Sequence, residues 1–166
     1  MTDPPLRVVV VHWNSPDDCR ETVDQLLAST VPVRVTVFDN ASTAANRSAL
    51  EGLPEAVAVV EWRKNLGFGP GANVGLRLFL DDRSDGEWVA LVPHDVRIEP
   101  ETLGRMLLAA GDVANAGLCC ADVGDGMAPV IDPYFGGMVV PGGSVPGWEE
   151  VDYPHGTLML LRRACL

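Results

Sequence analysis

No two of the four cysteines in this 166-residue chain are spaced as a CxxC pair. Cys119 and Cys120 are adjacent, a spacing that suits neither a zinc knuckle nor an ordinary disulfide. With Cys19 and Cys165 standing alone, the expectation is reduced, mostly buried thiols in a cytoplasmic protein. Basic residues are scarce: Lys+Arg 12 against Asp+Glu 23 gives a net charge of −11. Such a surface repels phosphate backbones and argues against a nucleic-acid binder, so a small phosphorylated ligand would need a local cation or backbone N–H groups. No apolar run approaches the roughly 20 residues of a membrane span. The run Val8-Val9-Val10-Val11 follows Asp3 and two prolines, which is not a signal peptide. P-loop, zinc and serine-triad spacings are missing as well. Aromatic residues make up only 6%, but the hydrophobic share of 47% rules out disorder and supplies one core. A single domain over residues 1–166 is expected.

What is present alternates. Arg7 to His12 reads as a strand buried on both faces. Ser15 can cap a helix that starts at Pro16, with Asp17 and Asp18 at its positive end and Val23, Leu26 and Leu27 inward. Val33–Phe38 is a second strand, Ser42–Leu50 a short helix or irregular connection, and Val57–Trp62 a third strand. A helix bearing Val74, Leu76, Leu78 and Phe79 follows the turn Asn65–Gly71. Trp88–Val92 is a fourth strand, and Pro100–Ala110 a helix with Leu103, Met106 and Leu107 inward. This is the grammar of an α/β fold with a parallel sheet between helices. From about residue 111 the pattern changes to strands at Leu118–Val123, Val130–Tyr134, Gly137–Val140 and Thr157–Leu161, which predicts a mixed or antiparallel half. Pro141–Gly147 reads as a loop of turn formers.

In an open parallel sheet, ligands bind beyond the carboxyl ends of the strands. Here each of the first four strands delivers Asn or Asp at that end: Asn14, Asp39-Asn40, Asn65 and Asp95. Turn formation explains any one of them. Asp39 could accept from a ribose hydroxyl or a base edge, and Asn65 with Gly67 offers donors where a Cβ would obstruct a ligand. Gly67-x-Gly69-x-x-Ala72 satisfies a dinucleotide fingerprint but follows the third strand, whereas that fingerprint belongs after the first. Asp95 is suited to hold Mg²⁺ or Mn²⁺ against a diphosphate, and His94 could assist as a ligand or phosphate donor. His12 and His155 read as ordinary partly buried histidines. A nucleotidyltransferase would need a Gly-rich, basic turn where residues 12–18 have none.

Taken in order, VVVVHWNSPDDCRETVDQLLAS, VTVFDNAST, NLGFGPGANVGL, WVALVPHDVRIEPETLGRML and, more loosely, HGTLMLLRR resemble a family 2 glycosyltransferase of the GT-A fold, in particular its rhamnosyltransferase-like branch. The resemblance implies a Rossmann-like α/β/α sandwich in which residues 1–110 bind a nucleotide-sugar and 111–166 form part of the acceptor side. It implies transfer of the sugar to an acceptor hydroxyl with inversion, the acceptor being a saccharide, a lipid-linked or a small molecule. Nucleotide contacts would come from His12 to Asn14 and Asp39, donor contacts from Asn65, Gly67, Asn73 and His94, and metal–diphosphate binding from Asp95. The expected setting is cytoplasmic, peripheral to a membrane through the acceptor.

Two departures stand out. The family's acidic element reads Pro93-His94-Asp95 here, leaving one carboxylate. The family also continues past the equivalent of Arg162-Arg163 into the segment bearing its catalytic base, whereas this sequence stops at Leu166. An inverting displacement needs such a base. Three arrangements are compatible: part of a longer enzyme, a short enzyme using another acid such as Asp132 or Asp152, or a degenerate relative that binds a nucleotide-sugar or a partner without turnover.

Overall fold

The computed structural model describes residues 4–142 and 147–166. Its main sheet has six strands: β1 (Leu6–His12), β2 (Val33–Asp39), β3 (Ala58–Glu61), β4 (Trp88–Pro93), β5 (Leu118–Cys120) and β8 (Met159–Arg162), in the order β3-β2-β1-β4-β8-β5. β1 pairs in parallel with β2 and β4, and β2 with β3, while β8 lies antiparallel between β4 and β5. β6 (Met127–Asp132) and β7 (Gly136–Pro141) form a separate antiparallel hairpin. A parallel half followed by a mixed half is therefore present, as the sequence predicts. Of the loop expected at Pro141–Gly147, residues 143–146 lie outside the described residues.

The β-branched run of β1 is the centre of the molecule, with Val8 and Val10 at 0% exposure and Val9 and Val11 at 1% and 5%. Even-numbered residues face α1 (Pro16–Leu27), α2 (Ala44–Leu50) and α4 (Thr102–Gly111), sharing a core with Val23, Leu26, Leu50, Leu103 and Met106. Odd-numbered residues face α3 (Phe68–Asp81), meeting Ala72, Leu76 and Phe79. Period-two alternation thus commits one strand to two helical layers.

Several local expectations need correction. Leu27 is exposed rather than inward, and Leu78 on α3 is exposed as well. The buried stripe of α3 is Gly71, Ala72, Gly75, Leu76 and Phe79, so small residues bring this helix close to the sheet, and the larger Val74 and Leu78 lie off that stripe. Ser15 does not cap α1 with its side chain; its hydroxyl donates to Asp18 Oδ2 at 2.6 Å. β5 ends at Cys120, and β6 starts at Met127 and ends at Asp132, where Asp132 Oδ1 accepts from the amides of Tyr134 and Phe135 and closes the hairpin turn. All four cysteines are free, but only Cys19 is buried; Cys119 and Cys120 are half-buried, and Cys165 is exposed. Burial pushes the Cys19 thiol up to about 12, making it an inert core group.

The amino-terminal edge of the sheet is fastened by charge. Arg7 bridges Asp82 (3.0 Å) and the buried Asp85 (2.8 Å), and Arg34 reaches the same two carboxylates. Arg163 caps the end of α3, donating to the carbonyls of Leu80, Asp82, Asp85 and Gly86 while lying over the Phe79 ring. No helix among the described residues is long and apolar enough to cross a membrane.

The close approach of α3 gives a direct test. A Cβ built on Gly75 would collide with Val9 Cγ1, a stiff β-branched side chain in the sheet centre. Gly75→Ala is expected to destabilise the fold by about 1–3 kcal/mol in urea denaturation, despite alanine's better helix propensity. Unchanged or raised stability would show that α3 does not sit this close.

Candidate functional site at the carboxyl edge of the parallel strands

The turns after β1, β2, β3 and β4 all emerge at one edge, and side chains tie the first three together. Asn14, in the β1–α1 turn, has a left-handed backbone (φ 54°), which asparagine tolerates better than most residues. Its amide donates to Ser42 Oγ at 2.8 Å, and its Oδ1 accepts from the Thr43 amide (2.8 Å) and Asn46 Nδ2 (3.1 Å). Asn14 Oδ1 therefore fastens the β1 turn to the β2–α2 connection. In that connection Ala41 also has positive φ (64°). These are the two non-glycine residues with such backbones among the described residues, and both lie in this edge.

Asn40 performs the matching task on the other side. Its Nδ2 donates to Asn65 Oδ1 (3.2 Å) and the Gly67 carbonyl (3.0 Å), and its Oδ1 accepts from the Leu66 amide (2.9 Å). The Gly-rich turn is thus held by one buried carboxamide. Gly67 adopts φ 81° at the start of α3, where a side chain would be strained. Asn65 and Asn73 are exposed at this edge.

Asp39 stands beside His12 in the β1–β2 register, and both are wholly buried on the α1 face. Asp39 Oδ1 accepts from the Ser42 amide at 3.3 Å, and its Oδ2 lies 3.5 Å from Arg47 Nε without a hydrogen bond. Arg47 also pairs with Glu61 at 3.2 Å and donates to the Ser42 carbonyl. In this arrangement the Asp39 carboxylate braces the β2–α2 turn and does not face solvent, so a ligand meets it only where Arg47 and that turn give way.

His12 likewise differs from the simple expectation of a contact residue. It is buried, and neither ring nitrogen has a hydrogen-bond partner among the described residues. Its ring meets the edge of His94 at 5.2 Å and 82°, and His94 Nδ1 lies 3.1 Å from the Val11 carbonyl. Asp95, next in the chain, is exposed. His12 therefore spans the space between the Asp39 turn and the His94-Asp95 turn. Sequence reasoning missed the positioning roles of Asn40, Ser42 and Asn46, and it took in Trp13, whose indole is half exposed beside Asn14, only within the stretch from His12 to Asn14. The exposed aromatic directly after a buried strand was the one available signal.

Asp132 and Asp152 are not part of this edge cluster. Asp152 Oδ2 accepts from the Ile131 amide at 2.7 Å, fixing the segment around residue 152 to the β6–β7 hairpin. Among the described residues, no three His, Cys, Asp or Glu side chains gather into a metal cage. Among the described residues, an open hollow lies at the opposite, amino-terminal edge, between Arg83, Asp85, Gly86, Glu87, Arg163 and Ala164. It lacks the strand-end turns, so the carboxyl edge, where open parallel sheets bind their ligands, is the better chemical candidate.

Burial lowers the His12 pKa to about 4, helped by neighbouring His94 and opposed by Asp39. Above pH 6.5 both folded and unfolded chains hold this ring neutral. Between pH 6.5 and 4 the unfolded chain takes a proton that the folded one refuses, so stability falls with pH by up to about 3 kcal/mol. Denaturation across that window should show a smaller loss for His12→Leu than for the parent. Equal losses would remove His12 as the source.

Comparison with known proteins agrees with this architecture. The model of glycosyl transferase family 2 matches residues 7–135. The succinoglycan biosynthesis protein ExoO of Rhizobium meliloti (strain 1021) is 30% identical over 115 residues, 68% of this chain and 31% of that protein. Among solved structures, the mannosyltransferase PcManGT of Pyrobaculum calidifontis, in complex with GDP-Man and Mn²⁺, superposes with a TM-score of 0.67 at 21% identity. That match covers 98% of this chain and 46% of the other. TarS 1–349 of S. aureus in complex with UDP-GlcNAc gives a TM-score of 0.55 at 21% identity, over 72% of this chain and 36% of that one. The chain thus spans less than half the length of these relatives. Strand order, mixed sheet and family match converge: the chain belongs to the family 2 glycosyltransferases and carries their GT-A fold.

Proposed function

We propose that this chain binds a nucleoside-diphosphate-sugar along the carboxyl edge of β2, β1 and β4 and serves its transfer to an acceptor hydroxyl with inversion. One observation carries the reading. Four successive strand ends converge there, the first three cross-linked through Asn14 and Asn40, while Asp95 stays exposed at the fourth. The β2–α2 turn braced by Asp39 takes the nucleoside, with His12 and Asn14 supporting it from β1. Asn65, Gly67 and Asn73 line the path of the diphosphate-sugar at the start of α3, and His94 borders it from β4. Structural relatives carry GDP-Man with Mn²⁺ or UDP-GlcNAc, which supports this class of donor. The ordered motifs favour the rhamnosyltransferase-like branch.

A divalent cation fits the residues present. Asp95 is an exposed carboxylate at a strand end, and ions of the Mg²⁺ or Mn²⁺ kind are often held by one or two carboxylates plus substrate phosphate oxygens and water. When bound, the ion neutralises charge on the departing diphosphate. It also reconciles an anionic donor with a protein of net charge −11. The protein groups do the remaining work: Asn40 fixes the Gly-rich turn, so its backbone donors need no rearrangement when the donor arrives. For the proton of the acceptor hydroxyl, Asp132 and Asp152 are this chain's candidates, each retaining one carboxylate oxygen outside the hairpin bonds described above. Because the chain covers only part of its relatives, we assign it donor binding first and turnover second. Four unpaired cysteines fit a reducing, cytoplasmic setting, peripheral to a membrane through the acceptor.

Thermal denaturation with UDP, GDP and dTDP, each with and without Mn²⁺, tests the assignment. At a concentration a hundredfold above Kd, the matching nucleotide with Mn²⁺ should raise Tm by about 5–10 °C. Asp95→Ala should abolish the Mn²⁺-dependent part of that rise. No shift with any nucleotide would overturn the reading.

A further inference from the structure

His94 puts an imidazole in the strand-end turn directly before Asp95, and its surroundings define what that ring can do. Its Nδ1 lies 3.1 Å from the Val11 carbonyl. A carbonyl only accepts, so Nδ1 carries the proton and the neutral ring keeps its lone pair on Nε2. The ring is held from a second side by buried His12 on β1, packed edge-on at 5.2 Å. Among the described residues, Nε2 has no protein partner, yet it is not one of the buried unpartnered atoms, as both His12 nitrogens are. It therefore has access to solvent, and the next residue in the chain, Asp95, is exposed.

We infer that His94 supplies Nε2 as a second protein ligand to the cation held by Asp95, making the site a mixed imidazole–carboxylate one. This rests on the donor-site reading above. A histidine whose Nδ1–H is committed to a backbone carbonyl, with Nε2 open, has the tautomer and the anchored orientation that metal-binding histidines use. The same tautomer disfavours the alternative role of phosphate donor, because Nε2 then has no hydrogen to give. A nitrogen ligand also sets preference: imidazole favours Mn²⁺ and later transition ions over Mg²⁺, which takes oxygen.

The test is pulsed electron paramagnetic resonance of Mn²⁺ bound with the nucleotide that gives the largest Mn²⁺-dependent melting shift. The parent protein should show ¹⁴N coupling from a directly bound imidazole. In His94→Asn, where the carboxamide N–H can still donate to Val11, the coupling should vanish. Mn²⁺ affinity should also fall about tenfold while Mg²⁺ affinity changes little. Mn²⁺ bound in an Asp95-dependent way but without nitrogen coupling would overturn this inference and leave the donor site standing. Coupling that survives in His94→Asn would likewise overturn it, by assigning the nitrogen elsewhere. Absence of any bound Mn²⁺ with every nucleotide would overturn both.

Discussion

Everything at the candidate site depends on β1 pairing in parallel with β2 on one side and β4 on the other. Parallel pairing makes three strands run out at the same edge, so the turns after them become neighbours although they are up to 80 residues apart in sequence. The register then places His12 level with Asp39, and Val11 level with Pro93, just before His94. An antiparallel partner at either position would have sent one of these turns to the far edge. The β-branched, fully buried β1 strand is what makes this pairing stable, because it has helices on both faces and a solvent edge on neither side.

A second constraint is electrostatic. The molecule carries a large negative charge, and five of its arginines are committed to carboxylates: Arg7 and Arg34 to Asp82 and Asp85, Arg47 to Asp39 and Glu61, Arg97 to Asp18 and Glu21, Arg162 to Glu87. The exposed Arg63 and Lys64, just after β3 at the carboxyl edge, are in none of these pairs. For a donor of the proposed class, backbone donors in preformed turns and a cation at Asp95 would add to those two basic groups. The carboxamide clamps of Asn14 and Asn40 serve that purpose, since a turn already held by hydrogen bonds loses little entropy on binding.

The legible part of the fold was the part written in local patterns. β-Branched runs and amphipathic segments marked β1 to α4 to within a few residues. The face of α3 was hidden because Gly71 and Gly75, which carry no hydrophobic signal, do the packing against Phe38 and Val9. The insertion of β8 between β4 and β5 was hidden too, since a pairing across some 70 residues leaves no mark on either strand. At the site, residue types at strand ends were visible, but their duties were not. Asn40 looks like any turn former until its carboxamide is seen spanning to residues 65–67. Ala41 adopts a left-handed backbone that no property of alanine announces. Asp39 and Asp95, similar as letters, separate into a buried brace and an exposed carboxylate only when the layers are assembled.

The central claim is that the donor occupies the carboxyl edge, and amide chemical-shift mapping addresses it most directly. Titration of the ¹⁵N-labelled chain with a nucleoside diphosphate and Mg²⁺ should perturb the amides of Asn14, Ser42, Leu66, Gly67 and Asp95, with those near Gly86 and Arg163 unmoved. Perturbations confined to the Arg83–Gly86 and Arg163 edge would contradict the account and move the site to the opposite end of the sheet.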